Sequence, residues 1–102
     1  MITREMIQQA VFATIDEWNQ HMPVNRQMAK STAVILLGPS GVLDSLGLIN
    51  FAVSLEERLA ELFGAPVTIF REEYLQQETS PFRTIASLLD HIETVSHDSL
   101  ID

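Results

Sequence analysis

"GVLDSLGLINFAVSLEERLAELFG", residues 41–64, decides how the rest of this chain is read. Leu48, Ala52, Leu55, Leu59 and Leu62 recur at alternating steps of four and three. That spacing lays them along one stripe and predicts an amphipathic helix from about Asp44 to Phe63 with the stripe buried. Gly64 follows as a favoured residue just past a helix end. At the start, Asp44 makes a good cap, because its carboxylate accepts orphan backbone N–H groups and suits the positive end of the helix dipole. Ser45 then falls in the first turn, where a phosphate ester would meet the same N–H groups and the same dipole. Gly47 costs about 1 kcal/mol relative to alanine inside a helix. With no side chain, it is expected to leave open space beside Ser45.

A second set on this helix points elsewhere. Leu46, Ile49, Val53 and Ala60 lie rotated well away from the leucine stripe, and Glu56 and Glu57 share their sector. Apolar residues bordered by carboxylates on an outward face form a docking surface. Packing of Leu46, Ile49 and Val53 beneath a neighbouring loop is the other reading of the same pattern, and sequence alone leaves both open.

Working outward, apolar residues at Met6, Ile7, Ala10, Val11, Ile15 and Trp18 predict a first helix over residues 2–18. Pro23 cannot continue it. Residues 24–43 form a long connection, a length more often functional than decorative. Within it, "TAVILL" has no partner strand, so an extended segment covering the bundle is expected. "IFREEYLQQ" suggests a short third helix. "SPFRTIASLLDHIETV" is the last long one, with Phe82, Ile85, Leu88, Leu89, Ile92 and Val95 on one face and either Ser80 or Thr84 as its cap. The expected fold is all-α, one domain over residues 1–97, with residues 98–102 as a frayed tail.

The triplet Asp-Ser-Leu occurs twice, at 44–46 and at 98–100. Only the first has an amphipathic helix after it. Ser45, and not Ser99, is therefore the serine of interest.

Bulk properties exclude several function classes. The 102 residues carry 14 acidic and 6 basic side chains, a net charge of −8, which disfavours nucleic acid and favours partners with basic patches. There is no cysteine, so the chain has no thiol chemistry of its own. No membrane span or secretory signal is evident, and a cytoplasmic monomer is expected. "AVILLGPSG" mimics a phosphate-binding loop but lacks the closing Gly-Lys-Ser/Thr. Its glycine spacing is also wrong for a nucleophile elbow. His21, His91 and His97 lack metal-ligand spacing, and His91 is expected to be solvated on the polar side of its helix.

Residues 41–64 resemble the acyl carrier protein, or phosphopantetheine-binding, family: Asp-Ser-Leu opens a helix, Leu-Glu-Glu follows, and Phe-Gly closes it. "FRTIASLLDHI" is similar to the family's last helix, and the long first loop and acidic charge also match, so the resemblance covers nearly the whole chain. It implies a four-helix bundle in which Ser45, flanked by Asp44 and Leu46, receives 4′-phosphopantetheine from coenzyme A. A phosphopantetheinyl transferase would supply the Mg²⁺ and the base. Acyl groups would ride as thioesters between acyl-activating and acyl-transferring enzymes, which dock on Leu46, Ile49, Val53, Glu56 and Glu57. The chain itself would not be an enzyme. Gly47 and Asn50 stand where acidic residues are common in the family, which points to a specialised biosynthetic carrier. The competing reading is an unmodified helical adaptor that only docks on other proteins.

Overall fold

The computed structural model describes residues 2–38, 40–76 and 80–101, with side chains described to Val95. It is mostly helical. Three α-helices, α1 (Arg4–Gln20), α2 (Ser45–Phe63) and α3 (Ile85–Ile101), are accompanied by 3-10 turns at Val24–Arg26 and Glu72–Leu75. Among the described residues, the short third helix expected near "IFREEYLQQ" is thus a single 3-10 turn, and the α-helices number three, not four. Two consecutive glutamates open that turn, and Gln76 returns its N–H to the Glu73 carbonyl, so the turn closes without propagating.

Local sequence explains where each helix begins and ends. Thr3 caps α1, its hydroxyl accepting the Met6 N–H, so the helix starts two residues later than its apolar spacing suggests. Asp44 caps α2, and Gly64 ends it in the left-handed conformation at φ 71°, which costs glycine nothing. Of the two possible caps for α3, Thr84 takes the role. Its Oγ1 accepts the Ser87 N–H at 3.0 Å, while Ser87 Oγ accepts the Thr84 N–H at 3.1 Å, a reciprocal capping box. Ser80 instead accepts the Phe82 N–H inside the preceding turn. The backbone of α3 runs to Ile101. The side chains of His97 and Ser99 lie outside the described residues.

α1 packs against both α2 and α3. From α2 the core takes Leu48, Phe51, Ala52, Leu55 and Leu59, and from α1 Ile7, Val11 and Ile15. α3 adds Ile85, Leu88, Leu89 and Ile92. Leu62, at the end of the predicted stripe, is only partly buried, and Phe51, three residues after Leu48 and four before Leu55, joins the buried face. The radius of gyration, 12.9 Å, is that of one compact body of this length.

The loop between α1 and α2 is built, not loose. Leu36 and Leu37 are buried as the extended-segment reading expects, but the segment does find a partner. Ile35 forms an antiparallel bridge with Thr84, the Leu36 N–H donates to the Arg83 carbonyl, and the Ile85 N–H donates to the Val34 carbonyl. The partner is the non-helical approach to α3, which carries no strand pattern of its own. The loop then doubles back, with the Val42 and Leu43 N–H groups donating to the Ile35 and Leu36 carbonyls. This places Asp44 and fixes the direction in which α2 starts.

Candidate functional site

Ser45 is the first residue of α2 and is exposed. The capping contact beside it is short: Asp44 Oδ1 accepts the Gly47 N–H at 2.7 Å, and the Asp44 carbonyl accepts the Leu48 N–H at 2.9 Å. Asp44 thus organises the first turn with both its side chain and its backbone. The Ser45 hydroxyl stands at the positive end of α2.

Gly47 does not leave open space. It is buried, and a Cβ there would lie 3.0 Å from Asp44 Oδ1 and 3.2 Å from Trp18 Cη2. The Trp18 ring fills the volume that the sequence left vacant. That ring also meets Phe51 edge-on, with centroids 6.3 Å apart at 77°, and its Nε1–H points to the Arg26 carbonyl at 3.4 Å. Next to Trp18, Asn19 clamps the same loop: its Nδ2 donates to the Met28 carbonyl and its Oδ1 accepts the Met28 N–H.

A polar cleft of about 380 Å³ opens beside Asp44, lined by Asn25, Arg26, Gly41, Val42 and Leu43 together with Asp44 itself. Arg4, Lys30, Arg58 and Arg71 each pair with a carboxylate, whereas Arg26 joins no ion pair among the described residues. A second cleft of about 220 Å³ lies between α1 and α2, with Trp18, Met22 and Phe51 among its walls.

The apolar set on α2 faces outward. Leu46 is 68% exposed, Val53 50% and Ile49 37%, so the long loop does not cover them. Ala60 is half-buried. The two glutamates of this sector part company. Glu57 is exposed and joins no ion pair or hydrogen bond among the described residues. Glu56 is partly buried, and its Oε2 accepts the Ile69 N–H at 2.8 Å and the Phe70 N–H at 3.1 Å. Its carboxylate therefore serves the fold, and the free acidic charge of the outward sector rests on Glu57.

His91 is also not a solvated surface residue. Its Nε2 lies 2.8 Å from the Ile69 carbonyl, and its ring meets Tyr74 edge-on at 5.2 Å. Glu56 from α2 and His91 from α3 thus grip Ile69 at its N–H and its carbonyl.

Sequence reasoning missed Trp18 and Arg26 as neighbours of the Ser45 turn. Trp18 was legible as an apolar position of α1, but only the tertiary approach of α1 to α2 brings its ring onto Gly47. Among known proteins, no family model, no curated sequence and no solved structure matches the chain.

Proposed function

We propose that this chain is a non-catalytic acyl carrier whose Ser45 bears 4′-phosphopantetheine, serving a specialised biosynthetic pathway. The observation that carries the reading is an exposed serine at the first residue of α2, directly after the Asp44 cap and beside an uncovered apolar face. The residues present fit such a group. The hydroxyl is accessible, the helix start favours a phosphate, and the cleft along Asp44 and Arg26 offers polar surroundings next to it. When bound, the arm supplies the thiol that this cysteine-free chain lacks.

In the loading reaction, Ser45 Oγ forms a bond to the β-phosphorus of coenzyme A as the bond to the nucleotide phosphate breaks. The hydroxyl proton passes to a base of the transferase. Asp44 holds the first turn, so that the hydroxyl is presented from a fixed backbone. Leu46, Ile49 and Val53 form the docking face, with Glu57 supplying negative charge for a basic partner surface. On this reading the 3-10 turn Glu72–Leu75 takes the place of the short third helix of a four-helix carrier bundle.

Incubation with coenzyme A and a broad-specificity phosphopantetheinyl transferase tests the proposal. Intact mass should show one adduct, and peptide mapping should place it on Ser45 and not on Ser99. Ser45→Ala should abolish the adduct and keep the melting temperature of the parent, because an exposed hydroxyl alone is lost. No adduct in the presence of an active transferase overturns the carrier reading in favour of an unmodified adaptor.

A further inference from the structure

We propose that Trp18 is the positioning residue of the Ser45 site, holding the Val24–Arg26 turn and the first turn of α2 as one rigid surface. The inference rests on the carrier reading of Ser45 and adds a residue that lies 27 positions away in sequence.

Three contacts of one ring carry it. The indole edge lies against Gly47, close enough that a Cβ there would stand 3.2 Å from Trp18 Cη2. The Nε1–H is directed at the Arg26 carbonyl, which ends the 3-10 turn. The ring also meets Phe51 edge-on, one turn further along α2 and fully buried. Trp18 therefore links two neighbours of the polar cleft beside Asp44: Arg26, which lines it, and Gly47, whose N–H is held by the Asp44 side chain that also lines it. On the carrier reading, an enzyme that modifies Ser45 meets the Val24–Arg26 turn and the first turn of α2 together. Their fixed relation lowers the ordering cost of that encounter, which is a binding effect more than a chemical one.

The Asn19 clamp on Met28 keeps the loop attached to α1 when Trp18 is altered, so the effect of a Trp18 variant should stay local. Gly47 is the complementary handle. Alanine there would meet Trp18 and Asp44 Oδ1 together, displacing the ring without touching the serine.

The test combines loading kinetics with the emission of Trp18, the single tryptophan of the chain. For Trp18→Ala, the transferase KM for this chain should rise about tenfold while kcat changes little. Trp18→Phe keeps an aromatic ring at this position but lacks the N–H and the full reach to Gly47, and should recover part of that loss. Gly47→Ala should shift Trp18 emission in the unloaded protein and raise KM in the same direction. Circular dichroism melting of each variant separates this from general destabilisation. Should Trp18→Ala melt early, the phenylalanine variant and Gly47→Ala carry the decision. Loading of the parent together with parental KM in Trp18→Phe and Gly47→Ala, or unchanged emission in Gly47→Ala, overturns the positioning role and leaves the carrier reading standing. Failure of the parent to accept the arm overturns both.

Discussion

Glu56 Oε2 accepts the Ile69 N–H at 2.8 Å, joining the middle of α2 to a buried residue of the segment that leads into the Glu72–Leu75 turn. The Phe70 N–H shares the same oxygen at 3.1 Å. These donors belong to irregular backbone, which has no ladder or helix to satisfy it. A carboxylate placed one helical face away from the leucine stripe takes that role.

Glu56 and Glu57 should consequently differ in what their loss does. Glu56→Lys leaves the Ile69 N–H without its acceptor and should cost about 1.5–3 kcal/mol, the range for hydrogen bonds to charged groups. Glu56→Gln keeps one oxygen and should lose less. Glu57→Lys, at an exposed site, should stay within about 0.5 kcal/mol of the parent. Urea denaturation of the three variants checks the order. Equal midpoints for Glu56→Lys and Glu57→Lys would show that the Ile69 contact contributes nothing.

The core face of α2 gives a second prediction. Leu55 and Leu59 are fully buried between α2 and its neighbours. Truncating either to alanine should cost about 2–5 kcal/mol, through lost burial and the cavity left behind. That is much of the total stability of a domain this small. Thermal or urea melting of the two variants decides it, and parental melting in both would contradict the packing.

Those leucines were legible in the sequence because helix period is a local property, and a stripe spaced by four and three needs no knowledge of the partner. Phe51 fits the same period, but its edge-on meeting with Trp18 of α1 could not be read from it. The same holds for Gly47, whose reading reversed from open space to a packed contact. His91 looked solvated by its helical position, but the chain segment after α2 folds back over it and brings the Ile69 carbonyl to its ring. The exposed sector of α2 was recognisable as unusual, yet whether a loop covered it depended on where "TAVILL" went. That segment turned inward, burying Leu36 and Leu37 and pairing with the approach to α3, and so left Leu46 and Val53 uncovered. Local signals gave the three α-helices. Contacts distant in sequence decided that Glu56 and His91 are held while Glu57, among the described residues, is free.

Gly41 marks the tightest point of that inward path. A Cβ there would fall 2.6 Å from the Leu36 carbonyl oxygen and 2.6 Å from the Leu37 carbonyl carbon, both of them backbone. Backbone cannot swing aside as a side-chain tip can. Gly41→Ala should therefore destabilise the domain by about 1–3 kcal/mol, the usual cost of forcing atoms into filled space. The strain would fall on the Val42 and Leu43 hydrogen bonds that aim α2. Amide hydrogen exchange at those two residues should rise above the parent while the centre of α2 stays protected. Unchanged protection there would mean that the loop absorbs the extra carbon elsewhere.

Ile49 tests the docking face itself. It is 37% exposed, between Leu46 and Val53, which are more open still. A charge at a position with access to water avoids the several kcal/mol penalty of an unpaired buried ion. Ile49→Glu should therefore melt close to the parent. If partners use this face, the same variant should be loaded more slowly by the transferase, because a carboxylate would have to be dehydrated against an apolar partner surface. Glu57→Lys is the electrostatic counterpart, acting on encounter through charge rather than contact. Its effect should lie in the association rate and should shrink as salt rises, since exposed charges are screened beyond about 10 Å at 0.1 M. Slower loading in both variants, with parental melting and a salt-dependent deficit only for Glu57→Lys, is the expected outcome. Parental loading in both would mean that an exposed apolar face beside Ser45 is not where partners bind, and recognition would then have to lie in the loop wall around Arg26.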